Sequence, residues 1–335
     1  MANLKRSTIG TICFAALSIS APAAAQSLNY DTLASLEEPL AFEIGDATVQ
    51  VKGVADVPVM LDVDNRVFEG DVNVTFTGNV EVSAEMQLGN RWNIGAIYFG
   101  QYSEDANEYS DNVAGFIRTS WGTVIGGNVS GLVRESTRRR RGVGNANLAF
   151  DDFYGGLARW GGGYSGRFGP VTMTSIVDEN GDFEVGGEFQ RPIGVRDMRF
   201  ATRMRKSRYL TADETTQLSS EAVGAVGEIV YGSSLFDLGV GYENLNGSGL
   251  NLDRWFVSGG GQHKVGSISF SAAGHYGELD GSAEYSTAFG VGYDIARGLS
   301  TNLGFNTRKA NVERNNIQVV DEDEKKATAS IRYSF

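Results

Sequence analysis

Residues able to do covalent or metal chemistry are scarce in this chain. Its 335 residues hold one cysteine, Cys13, and two histidines, His263 and His275. Structural zinc and iron–sulfur sites each draw on about four such ligands, so no conventional metal site is expected. Ser269 and Ser271 stand at alternate positions before His275. A serine hydrolase needs its base within hydrogen-bond reach of the nucleophile. Alternate serines are also what any water-facing strand carries, and that reading is preferred. Gly142-Val143-Gly144 lacks the strand and helix that flank a phosphate loop. The chain is read as a non-enzyme that needs no cofactor.

Charge is the chemistry that remains. Arg138, Arg139, Arg140 and Arg141 form an unbroken run, and Arg199, Arg203 and Arg205 share odd positions. Groups of this kind act on ions and polar solutes through their field. The whole chain is acidic, with a formal net charge of -12, which argues against nucleic acid as a partner.

The elements that must position these charges show in the periodicity. With 41% hydrophobic and 10% aromatic residues the chain is too apolar for disorder. Its 44 glycines follow no triplet period, which excludes collagen. From residue 47 onward apolar residues fall at every second position. Val72, Val74, Phe76, Gly78, Val80, Val82, Ala84, Met86 and Leu88 alternate with Asp71, Asn73, Thr75, Thr77, Asn79, Glu81, Ser83, Glu85 and Gln87. Strands of soluble sheets run about 5–6 residues, whereas strands that cross a bilayer need about 9–11 and often extend beyond it. The pattern recurs about sixteen times and ends at Ala327, Ala329, Ile331, Tyr333 and Phe335. An all-β, antiparallel up-and-down transmembrane barrel is expected. Long polar connections are predicted at 103–111, 207–220, 244–251 and 309–324, and short ones at 178–182, 232–234 and 264–266. Rings near the strand ends, such as Trp92, Tyr98, Tyr285 and Tyr293, suit the two membrane interfaces.

The N-terminus has its own pattern. Lys5 and Arg6 precede the apolar run Ile9–Ile19, and Ala21-Pro22-Ala23-Ala24-Ala25 follows. This predicts a signal peptide over 1–25, cleaved after Ala25, and export without any disulfide. Residues 26–46 read as a periplasmic extension, and 47–335 as the barrel. No later run reaches 18 apolar residues, so no transmembrane helix is expected.

A last strand that ends in Phe335 resembles the C-terminal signature of bacterial outer-membrane barrels. Phe116-Ile-Arg-Thr-Ser-Trp-Gly-Thr-Val-Ile-Gly-Gly-Asn128, followed by a long loop, resembles the paired strands before a porin constriction loop. By pattern the resemblance covers 47–335, and is closest to the sixteen-stranded alphaproteobacterial porins. It implies a Gram-negative outer-membrane location, recognition of Phe335 by the barrel assembly machinery, contact with lipid and lipopolysaccharide, and a homotrimer. It implies passive diffusion of small hydrophilic solutes and ions through a water-filled lumen, filtered by bore and by a transverse field. The alternative is a substrate-selective, anion-preferring channel. Residues 131–157 are the candidate constriction loop. Arg118, Arg199, Arg203 and Arg205 would form its basic wall, facing Glu135, Asp151 and Asp152 on the loop. Arg138–Arg141 read as a solvated loop tip, or else as an anion-attracting mouth. The acidic stretches Glu104-Asp105 and Asp321–Glu324 read as solvated loops, with cation-bridged lipopolysaccharide phosphates as the alternative.

Overall fold

The computed structural model describes residues 40–62, 72–103, 108–140 and 142–335. The predicted signal peptide and most of the 26–46 extension lie outside them, as do Glu104, Asp105 and Arg141. Eighteen strands are present in these residues: β1 (Leu40–Ile44), β2 (Ala47–Asp62), β3 (Val72–Val74), β4 (Thr77–Gln87), β5 (Asn93–Ser103), β6 (Glu108–Thr119), β7 (Gly122–Asn128), β8 (Trp160–Phe168), β9 (Val171–Asp178), β10 (Phe183–Ile193), β11 (Arg196–Leu210), β12 (Gln217–Tyr231), β13 (Ser234–Gly247), β14 (Leu250–Val265), β15 (Ile268–Leu279), β16 (Ser282–Ala296), β17 (Leu299–Arg314) and β18 (Ile317–Ser334). One short helix, α1 (Leu132–Thr137), follows β7.

Apart from β3 and β4, each strand pairs antiparallel with its sequence neighbours, and β18 pairs with β2, so the sheet closes. Both β3 and β4 pair with β2 and occupy one wall position, which makes the barrel sixteen-stranded with β1 as an extra. Closure keeps the faces consistent. Ile331 sits opposite Val57 and Ala329 opposite Val59, so lipid-side residues meet across the seam. Gly53 and Phe335 exchange backbone hydrogen bonds of 2.8 and 3.0 Å at the end of that seam. Beyond Phe335, β1 pairs with residues 47–51 of β2, on the edge that β18 leaves free. Part of the expected extension is therefore strand. Its alternation is short, and Gly45 and Asp46 turn it back onto β2 as a tight hairpin.

The outward face carries Phe200, Met204, Phe236, Leu238, Val240, Phe289 and Leu303, all exposed. In water such a surface would be an aggregation hazard, and its continuity around the sheet fits hydrocarbon. No helix among the described residues is long and apolar enough to cross a membrane, which says nothing about strands.

The end of the barrel away from the termini differs from expectation. The runs 207–220, 244–251 and 309–324 are mostly strand, not long loops. Between β17 and β18 only Asn315 and Asn316 turn the chain, both with positive φ (53° and 62°). Two such residues make the tight turn whose twist matches a hairpin. Polar residues on both faces looked like loop because strand that rises above the bilayer needs no apolar face. Asp321–Glu324 accordingly lie on β18, where Arg308 pairs with Glu322 (3.0 Å) and Glu324 (2.7 Å). The connection 178–182 falls at this same end.

The tallest hairpins lean over the mouth. Tyr209 Oη donates to the Val319 carbonyl (2.7 Å) and the Ala212 amide to the same oxygen (3.1 Å). Beneath this bridge Leu218, Leu245, Leu252, Leu279, Val312 and Val319 form an apolar cluster, nearly all of it sealed from water. Each such side chain contributes about 1.5–3 kcal/mol. The barrel's own packed core thus lies at one end of β11–β18.

Gly53 tests the seam. A Cβ there would stand 2.7 Å from the Phe335 ring and 2.7 Å from the Asn79 carbonyl. Gly53→Val should destabilise the barrel by about 1–3 kcal/mol, read as a lower thermal midpoint by circular dichroism in detergent.

Candidate functional site

Residues 129–159 leave the wall after β7 and fold inward. Val129 and Val133 bury themselves against Ile176 and start the turn. α1 then lies against β9, β10 and β11. It can do so because residue 186 is glycine: a Cβ there would come within 2.6 Å of Thr137 and 2.7 Å of Val133. The outgoing arm continues along the wall. Arg199 donates to the carbonyls of Ser136 (2.6 Å) and Arg138 (3.1 Å). The amide of Arg140 donates to Glu228 (2.7 Å), and that of Val143 to Ser271 Oγ (3.1 Å). The chain reverses at Asn145, whose side-chain amide donates to Ser330 (3.2 Å) on β18. A Cβ on Gly304 would stand 2.6 Å from the Asn145 carbonyl carbon, so glycine again makes the room.

The return arm is held as closely. Asn147 N donates to Asn306 (3.2 Å), and Ser286 Oγ to the Ala149 carbonyl (2.8 Å). Arg254 donates to the carbonyls of Phe150 (2.6 Å) and Asp152 (2.7 Å). Glu243 accepts from the amides of Tyr154 and Gly155, both at 2.9 Å. The segment therefore covers the inner faces of β9–β18. On the other side of the lumen, the inward side chains of β4 (Asn79, Glu81, Ser83 and Glu85) remain half-exposed. The open lumen lies between the segment and this polar wall.

The three wall arginines come together as parity implied. Arg199, Arg203 and Arg205 share the inner face of β11 and are buried. Arg203 binds Asp152 and stacks its guanidinium 4.4 Å from the centre of the Phe153 ring. Arg134, on α1, reaches the same aspartate at 3.3 Å. Arg139 binds Asp237 on β13 and also reaches Asp151 (3.4 Å). Wall carboxylates complete the cluster: Arg205 meets Glu184 (3.0 Å), and Arg199 meets Glu188 (3.2 Å) and Glu228 (2.9 Å). Burial works to raise the Asp152 pKa, but the charges of Arg203, Arg205 and Arg134 outweigh it and hold the carboxyl below its ordinary value.

Other expected members lie elsewhere. Arg118 is on β6, exposed, and pairs with Glu85 (3.0 Å) on the opposite wall, as Lys52 pairs with Glu81 (2.8 Å). Glu135 falls on α1, with its side chain outside the described residues. Arg138, Arg139 and Arg140 lie on the outgoing arm inside the barrel, so among the described residues the run is no solvated tip. Glu184, Glu188, Glu228 and Asp237 were missed by sequence reasoning. Their inward parity was readable, but which of them share a height with the arginines was not.

A second buried cluster braces the return arm. Arg254 binds Glu243 (3.1 Å) and Glu284 (2.8 Å), its guanidinium 4.0 Å from the centre of the Tyr154 ring. Burial pushes the Tyr154 hydroxyl's pKa up, and as a neutral donor it reaches Glu284 at 2.6 Å. His275 links Ser258 (2.8 Å) to Glu284 (2.9 Å). Neither Ser269 nor Ser271 partners it. The Ser258–His275–Glu284 string resembles a nucleophile with its base, but Ser258 is 1% exposed and Glu284 is already taken by Arg254. This arrangement braces the segment, with Ser258 and His275 sealed from water. His263 is exposed at the barrel's terminal end and meets Ser234 (2.7 Å).

No family model matches the sequence, and no curated protein matches it. Solved structures do. An outer-membrane protein of Vibrio cholerae, OmpT in its trimer form, superposes with a TM-score of 0.67 at 11% identity, over 86% of this chain and 99% of that one. An anion-selective porin from Comamonas acidovorans gives a TM-score of 0.60 at 14% identity, over 86% and 100% of the two chains. A substituted form of the Rhodobacter blastica porin gives 0.54 at 13% identity, over 86% and 100%. Closed sheet, strand number and coverage agree: this chain has the fold of the sixteen-stranded outer-membrane porins.

Proposed function

We propose that the protein is an outer-membrane channel through which small hydrophilic solutes and ions diffuse passively. One observation carries this reading: a segment clamped to β9–β18 leaves a half-exposed polar wall on the far side. A barrel of this size is too wide for side chains to fill. Permeation needs no cofactor and no bond-making, and the buried Ser258 supports a non-catalytic reading. The apolar outer face, the predicted signal peptide and the terminal Phe335 fit insertion beside lipid and lipopolysaccharide by the barrel assembly machinery. A homotrimer is the assembly proposed, in keeping with the trimeric form of the Vibrio protein.

Arg199, Arg203 and Arg205 act here chiefly as a clamp. Their field is spent on Asp152, Glu184, Glu188 and Glu228 at contact distance, not across the bore. The bore is set by how firmly the segment is held. The charges that stay in reach of water are the half-exposed pairs Arg118–Glu85 and Lys52–Glu81 on one side, and Arg134 and Arg140 on the other. An anion preference is the second reading, because the two segment arginines remain half-exposed, at 41% and 44% of the side chain.

In planar bilayers the purified protein should give steps whose conductance rises linearly with KCl concentration; absence of steps would refute the channel. Asp152→Asn leaves Arg203 and Arg205 with one carboxylate fewer while Glu184 remains, a loss of about 1–3 kcal/mol. The segment should loosen, seen as greater current noise and a larger mean conductance. A depressed carboxyl contributes stability above its unfolded pKa, about 3.9, and loses it only as pH falls through the lower folded value. Protonation of Asp152 should therefore add no current noise between about pH 7 and about pH 4 and should add it only below, a rise that Asp152→Asn should lack.

A further inference from the structure

The two arms of the inward segment do not close on each other. Between them lies a slot of about 220 Å³, bordered by Arg134, Arg138, Arg139 and Arg140 on the outgoing arm, Ala146 and Leu148 on the return arm, and Ala273 on β15. Asp151 and Asp152 also line it, but each is engaged by arginine, through Arg139 and Arg203. Arg139 is spent on two carboxylates. Arg134 and Arg140 are different. The nearest approach of each to its carboxylate is from Nε, at 3.3 Å, Arg134 with Asp152 and Arg140 with Glu228. A guanidinium has five donors in a fixed fork. Both side chains are half-exposed, at 41% and 44%, and border a partly open cavity, where a guanidinium fork matches a planar carboxylate.

We propose that this slot binds a small organic carboxylate, with the terminal nitrogens of Arg134 and Arg140 on its anionic end and Ala146 and Leu148 against its carbon skeleton. The inference rests on the channel reading and adds a saturable site to it. Size supports the choice. Drug-sized ligands occupy about 300–1,000 Å³, so this slot suits a smaller molecule. Chemistry narrows it further. Guanidiniums alone would serve inorganic phosphate equally well, and the apolar arm is what favours a carbon skeleton. Placed beside the passage, such a site would raise the local concentration of the solute and make its flux saturate.

Benzoate and inorganic phosphate are the probes, titrated calorimetrically into the detergent-purified full-length protein. Benzoate should bind more tightly than phosphate. The double variant R134Q/R140Q should weaken benzoate binding by about tenfold or more, since each tenfold corresponds to about 1.4 kcal/mol. Ala273→Phe fills the slot from the wall, leaves the arginines intact and should also abolish binding. Thermal melts check that each variant is folded, and if one is not, the other carries the test. Equal or tighter phosphate binding, or unchanged benzoate affinity in a folded variant, overturns the proposal. So does failure of the wild-type protein to bind benzoate, whether or not it conducts KCl. Loss of KCl steps with benzoate binding intact would instead sink the channel reading and leave the site standing.

Discussion

Closure of the hydrogen-bonded sheet is the constraint on which the rest of the molecule depends. Hydrocarbon offers no partner to a bare amide or carbonyl, so a strand can cross it only with both edges paired. β18 meets β2 in a register that keeps lipid-side residues with lipid-side residues, and Gly53 admits the terminal Phe335 closely enough for two backbone bonds. Once the ring is complete, period two fixes which side chains look inward. A slip of one residue anywhere along it would turn a whole strand inside out.

Closure leaves an interior that side chains alone cannot fill, and the chain handles this with a segment rather than with bulk. Residues 129–159 lie in a trough where glycines such as Gly186 and Gly304 replace side chains on the wall. Buried ion pairs hold the segment there. Such pairs cost desolvation free energy that their mutual attraction only partly offsets, so they serve specificity more than net stability. Each arginine of β11 finds its carboxylate at one height only, and this determines where the segment sits. The arrangement also changes what the charges do. Opposite charges in contact cancel at a distance, so the clamp has little field left for the bore, and Arg134 and Arg140 are the arginines of the segment that stay half-exposed.

Apolar packing sits where water would otherwise compete. Leu245, Leu279 and Val319 are sealed under the hairpins that bridge the mouth, above the polar clamp and away from the lipid face. The same half of the barrel is therefore covered from above by a hydrophobic cluster and lined by the segment beneath it. The half lined by β2–β7 is left uncovered by the segment.

How much of this was legible in the residues follows from one fact: alternation reports direction and carries no height. The strands, their faces, the sixteen-fold count and the inward place of Arg199, Arg203 and Arg205 all follow from parity, because lipid and water impose opposite demands on alternate residues. The extent of the tall hairpins did not, since above the bilayer that demand lapses and strand reads as loop. The strand at 40–44 was equally hidden, because five residues are too few for alternation to declare a strand. By itself the sequence determined a closed wall with a charged lining and an interrupting segment. Tertiary structure alone decided which wall that segment lies on, that Glu184 and Glu228 answer the arginines, and that Arg118 faces a different neighbour. Those outcomes depend on register, which sets Glu184 opposite Arg205 and Glu228 opposite Arg199 on adjoining strands, and on contacts of the segment with strands far along the chain, as between Asn145 and Ser330.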